Sequence, residues 1–168
     1  FPDYIKPFTV YLREEGYYCT NSNKQDYNFK ITSDAWDQSC RYCQGEEKEN
    51  IHWRKRDGDQ PFFAVFNFQI THESQIWKQQ QQEVFLDPND IEFIPPYFPD
   101  DPVIRRDIAI NYSNLVRMDM EVGEIISELK EQGLYDEAYI FFYSDHGGPF
   151  PRHKRAIYQT GTKVPLFI

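Results

Sequence analysis

The sequence predicts an α/β fold, a mainly parallel sheet flanked by helices, and three observations carry that prediction. Residues 62–68 and 138–143 are nearly continuous apolar runs of strand length, the pattern of strands covered on both faces. Between them Ile108, Tyr112, Leu115, Met118, Val122, Ile125 and Leu129 step by threes and fours, a single helical stripe. Strand, long helix, strand is the crossover that joins parallel neighbours in one sheet.

The elements follow in chain order. Ile5, Phe8 and Leu12 stand at helical spacing, and Gly16 follows where a terminating glycine belongs. Tyr17-Tyr18-Cys19-Thr20 reads as a short strand after a tight turn. Residues 21–61 are polar with isolated aromatics, a loop with little regular structure. The strand at 62–68 gives way to the polar stretch Gln69-Ile70-Thr71-His72-Glu73-Ser74, and residues 79–82 are a glutamine tract expected on the surface. Five prolines within residues 86–102 predict an irregular loop. Asp101-Pro102 supplies an N-cap and first-turn proline for the long helix, and Gly133 stops it. Unbroken, such a helix is about 45 Å long. A second buried strand at 138–143 leads into Ser144-Asp145-His146-Gly147-Gly148, and residues 163–168 begin a third.

Composition narrows the classes of function. With 168 residues, 40% apolar and 17% aromatic, the chain is long and apolar enough for one packed domain. A net charge of −9 provides no electrostatic footprint for nucleic acid or an anionic membrane. No run approaches the ~18 apolar residues of a membrane span. The first residues have neither a basic nor an apolar leader region, and both ends read as cut. Cys19, Cys40 and Cys43 are odd in number; Cys40-x-x-Cys43 reads as a local disulfide or two ordinary thiols, since no second pair follows at zinc spacing and His52 has no partner histidine.

In open α/β sheets ligands sit beyond the carboxyl ends of the strands, where His72 and the Asp145-His146 pair both emerge. A carboxylate and an imidazole at a strand end suit a divalent cation, although the same pair could simply cap a loop. Arg152-His153-Lys154-Arg155 is the densest basic cluster of an acidic chain. It is either a solvated face or the clamp an anionic ester needs. His72 is either structural or a general acid and substrate contact. Lys24, after the first short strand, is unremarkable by itself.

Six segments occur in the order found in sulfatases, and the chain resembles that family over nearly its whole length. They are Gly16-Tyr17-Tyr18, Asn21 through Asn28, Pro61-Phe62-Phe63 running to Ser74, Met118-Asp119-x-x-Val122-Gly123, Ser144-Asp145-His146-Gly147, and Gly161-x-x-Val164-Pro165-Leu166. Pro149 through Lys154 further resembles the heparan N-sulfatase-like branch. The resemblance implies an alkaline-phosphatase-like fold and metal-dependent hydrolysis of sulfate esters or sulfamates by a formylglycine made from Cys or Ser in Cys/Ser-x-Pro-x-Arg. It implies Asp145 and His146 as metal ligands, with Ca²⁺ first and Mg²⁺ or Mn²⁺ as alternatives because of the imidazole. Lys24 and Lys154 become sulfate contacts and His72 the leaving-group partner, all three counted as catalytic and substrate-binding. Asp26 stands where many members carry a histidine. No Cys or Ser here is followed by x-Pro-x-Arg. Residues 1–168 are therefore expected to be part of a sulfatase catalytic domain, with its first strands, first aspartate pair and nucleophile upstream of Phe1 and the isolated chain inactive. A sulfated small molecule or glycan as substrate and a secreted, periplasmic or lysosomal location follow from the same resemblance. The alternatives are a phosphodiesterase or phosphonate hydrolase of the same superfamily, or a non-catalytic glycan- or ion-binding fragment.

Overall fold

The computed structural model describes residues 2, 4–41, 43, 45–46, 50–78 and 83–168; the glutamine tract 79–82 lies outside the described residues. The architecture is α/β, with a small parallel sheet and helices, in two compact units, Phe1–Asn67 and Phe68–Ile168.

In the first unit helix α1 is Phe8–Glu14. Ile5 precedes it, because the position before a proline is pushed out of the helical region and Pro7 is the N-cap. At the other end Gly16 adopts φ +89°, and the Tyr17 and Gly16 amides donate to the Leu12 and Arg13 carbonyls, both at 3.0 Å. That is a glycine-terminated helix closed by two reverse hydrogen bonds. The chain then enters β1 (Tyr18–Ser22), the centre of a three-stranded parallel sheet with β2 (Gln38–Ser39) and β3 (Phe62–Phe66) on either side. The two-residue β2 lies inside the segment expected to be loop.

β3 is covered on both faces, as its unbroken apolar run requires. Phe62 and Phe66 meet Trp53 at ring distances of 5.3 and 5.6 Å, while Phe63 meets Phe8 at 5.2 Å and Trp36 at 6.2 Å. Those tryptophans are two of the isolated aromatics of residues 21–61, so that irregular segment supplies much of the core. Asp37 pins it down, accepting from Arg13 at 2.7 Å and from the Cys19 amide at 2.8 Å. Cys19 is the buried free thiol, raised to about 11 by burial and then by the Asp37 charge. Cys40 and Cys43 are joined as a disulfide.

The second unit contains α2 (Ser74–Lys78), α3 (Pro102–Glu131), β4 (Phe142–Tyr143), α4 (Gln159–Thr162) and β5 (Leu166–Phe167). Asp101 caps α3, its Oδ1 accepting from the Val103 and Ile104 amides at 2.8 and 3.0 Å. Gly133, at φ +68°, ends it. The apolar stripe is only partly covered: Ile108 and Leu129 are buried, but Tyr112 and Leu115 are 40% and 41% exposed. The covered face turns towards Ala109, Ile110, Ser113 and Asn114 because the proline-rich loop lies across it. The Phe85 amide donates to Ser113 Oγ at 2.9 Å, Arg105 reaches the Ile91 carbonyl at 3.1 Å, and Ile91 packs on Ile108 and Ala109.

One expectation needs correcting. The strand at 138–143 does not enter the parallel sheet of β3; its last two residues form β4, which pairs antiparallel with β5. Nor is it buried: Tyr139, Phe141 and Tyr143 are exposed while the even-numbered residues are half-buried. An alternating pattern means one covered face, and a continuous apolar run does not reveal which face that is or which strand pairs with it.

The cap on α3 can be tested directly. Asp101→Ala should destabilise by about 1 kcal/mol in denaturant unfolding, and Asp101→Asn by only a fraction of that. Equal stability of Asp101→Ala and parent would show that the cap contributes nothing.

Candidate functional site

β4 ends in the loop 144–148, and backbone packing decides its shape. The Gly147 amide donates to the Gly161 carbonyl at 3.0 Å, and a Cβ on Gly147 would lie 1.7 Å from the Thr160 carbonyl oxygen. Only glycine fits there. The Ser144 hydroxyl donates to the His146 carbonyl at 2.6 Å, closing the turn. Asp145 Oδ1 and His146 Nε2 then stand 3.7 Å apart. His146 Nδ1–H donates to the Gly147 carbonyl at 2.8 Å, which leaves the Nε2 lone pair on the Asp145 side.

Residues 152–155 return to this loop, since the Lys154 amide donates to the Gly148 carbonyl at 3.2 Å. The Lys154 ammonium meets His72 Nε2 at 2.9 Å. On the other side of the ring Nδ1 faces Ser74, 2.9 Å from its Oγ and 3.2 Å from its amide nitrogen. His72 is held at the start of α2, its amide bonded to the Gln69 carbonyl and its carbonyl to the Gln75 amide. Beside it Glu73 Oε1 accepts from Arg155 at 2.8 Å and Lys154 at 3.4 Å. Desolvation pushes the Glu73 carboxyl up, but the two cations together hold it below its ordinary range.

Two other members of the basic cluster have aromatic partners. The Arg152 guanidinium lies between the Tyr97 and Tyr158 rings, 4.7 and 4.4 Å from their centroids. Tyr97 OH bonds His153 Nε2 at 3.0 Å, and the His153 ring covers Gly148. Burial holds the His153 imidazole below its usual value. Arg155 has a side chain 74% exposed, and Arg152 is likewise exposed despite its ring contacts.

Lys24 belongs to the first unit, two residues beyond β1. Asn21 shapes that turn, its Nδ2 donating to the Lys24 carbonyl at 2.8 Å and also to the Tyr27 hydroxyl. Asn67 Nδ2 in turn donates to Asn21 Oδ1 at 2.9 Å. Asp26 faces Arg41 at 4.0 Å, both well exposed. Of the residues singled out from the sequence, His72 and Lys154 meet, and Asp145 meets His146. Among the described residues no cluster of three or more His, Cys, Asp or Glu side chains could hold a metal ion, so the donors here are that pair. Sequence reasoning missed Glu73, Ser74 and Tyr97 as the residues that hold His72 and the basic segment. A carboxylate and a hydroxyl immediately after the histidine were the available signal for the first two.

These contacts separate the cations by their effect on stability. Arg152→Ala should lower the unfolding free energy by about 0.5–1 kcal/mol, the loss of an exposed cation held between two rings. Arg155→Ala should stay within about 0.5 kcal/mol of parent. Equal melting temperatures for the two would contradict the packed arrangement.

Residues 12–168 match the sulfatase family. An ulvan-active sulfatase of Formosa agariphila is 37% identical over 201 aligned residues, covering 99% of this chain and 32% of that protein. Human N-sulphoglucosamine sulphohydrolase is 37% identical over 82 residues, covering 49% of this chain and 16% of its own length. The chain thus spans about a third of the first relative, 32%, and less of the second, 16%. On the extent of that match, the chain belongs to the sulfatase family.

Proposed function

We propose that residues 1–168 are part of the catalytic domain of a metal-dependent sulfatase with an alkaline-phosphatase-like fold, which hydrolyses sulfate esters or sulfamates of a sulfated glycan. Within a sulfatase-family chain, the observation that carries this reading is the Lys154 ammonium at 2.9 Å from His72 Nε2. A fixed cation and an imidazole side by side suit the anionic oxygens of a sulfate ester.

Lys154 supplies positive charge to the sulfate oxygens, and Lys24 is the second sulfate contact. His72, beside Lys154, is the leaving-group partner. Asp145 and His146 are the metal ligands; their donor types fit, and the Nδ1–H bond to Gly147 orients His146 as an outer hydrogen bond orients a ligating histidine. A divalent cation, Ca²⁺ before Mg²⁺ or Mn²⁺, would neutralise sulfate charge there. The formylglycine does not fit any residue of this chain, as no Cys or Ser begins x-Pro-x-Arg, and the isolated chain is expected to have no turnover of its own. Glycan substrates are supported by the names of the two relatives, one active on ulvan and one on N-sulphoglucosamine. A secreted, periplasmic or lysosomal location accords with the Cys40–Cys43 disulfide, and no described helix is long and apolar enough to cross a membrane.

In the full-length protein, Lys154→Ala should lower kcat/KM for an aryl sulfate roughly a hundredfold or more, the value of one charge-assisted contact of about 2–4 kcal/mol. Steady-state kinetics measured beside the melting temperature decides it. Near-parental activity in a folded variant would remove Lys154 from the site.

A further inference from the structure

We propose that Glu73 is the positioning residue for Lys154, fixing its ammonium against His72 so that it meets the substrate's sulfate in one orientation. This rests on the reading of Lys154 as the sulfate contact and goes beyond it. A lysine ammonium is a point charge on a flexible four-carbon stem, so by itself it has no defined direction. Here two consecutive residues of the α2 start hold it, His72 through Nε2 at 2.9 Å and Glu73 through Oε1 at 3.4 Å. The Lys154 backbone is separately tied to Gly148 at 3.2 Å, so both ends of the side chain are located.

Charge supports the same role. The Glu73 carboxylate faces two cations, Lys154 and Arg155, so one positive charge remains uncompensated. An acid that neutralised Lys154 alone would compete with a sulfate; one shared with Arg155 holds the lysine and leaves the group attractive to an anion. Arg155 adopts φ +67°, a left-handed conformation uncommon outside glycine. Its side chain nevertheless reaches the same carboxylate oxygen at 2.8 Å. Ser74 completes the arrangement by fixing the His72 ring through Nδ1 at 2.9 Å.

The test is a double-mutant cycle in the full-length protein with an aryl sulfate. Glu73→Gln should lower kcat/KM about tenfold, in kcat more than in KM, as expected when a transition-state contact is loosened. In the Lys154→Ala background the same change should have no further effect, because the residue it positions is gone. An equal loss in both backgrounds, or parental activity of Glu73→Gln, overturns the positioning role while leaving Lys154 in place. Parental activity of Lys154→Ala instead overturns the reading of Lys154 and this proposal with it. Should Glu73→Gln not fold, Glu73→Asp carries the same comparison, with a loss of about threefold that also vanishes without Lys154.

Discussion

The close approach of two backbones shapes the loop that bears the candidate ligands. Where the 144–148 loop runs beside residues 153–161, a methyl group on Gly147 would stand 1.7 Å from the Thr160 oxygen and one on Gly148 2.7 Å from His153 Nδ1. Two adjacent glycines permit that distance, and the hydrogen bonds from Gly147 to Gly161 and from Lys154 to Gly148 maintain it. Asp145 and His146 are presented by one side of this contact and Lys154 by the other. The glycines of Asp145-His146-Gly147-Gly148 therefore serve the placement of charges, although they carry no chemistry themselves.

Around that contact the side chains are arranged by compensation. Glu73 gathers Lys154 and Arg155, two rings enclose Arg152, and Tyr97 holds His153. Four basic residues in a row would repel one another in open solvent. Giving three of them partners of different kinds lets them sit in sequence while Lys154 remains beside His72. The proline-rich loop that contributes Tyr97 is itself fastened to α3 through Ser113, Arg105 and the Ile91 contact. A long helix with a precise cap thus supports a loop that has no regular structure.

What was legible in the sequence was local. Asp101-Pro102 and Gly133 bound α3 because a cap and a terminating glycine act within one turn. Gly16 marked the end of α1 for the same reason, and the run of β3 declared two covered faces. Pairing was not legible: residues 138–143 show that an apolar segment carries no record of its partner strand or of its orientation. Nor were the contacts of Tyr97 with His153 and of Glu73 with Lys154, which join residues 56 and 81 positions apart. His72, Lys154, Asp145 and His146 were singled out by their residue types and order, whereas the contacts of Glu73 and Tyr97 became visible only through the fold.

A fixed lysine beside a histidine, and a carboxylate beside an imidazole, could serve a phosphoryl ester as well as a sulfuryl one, since both present anionic oxygens to placed charge. Family membership weighs for sulfate. The most direct measurement is the full-length protein's kcat/KM for an aryl sulfate against an aryl phosphodiester of the same leaving group, before and after metal chelation. The expected result is sulfate release that chelation abolishes and that exceeds phosphodiester cleavage. Metal-dependent cleavage of the phosphodiester with no sulfate released would contradict it.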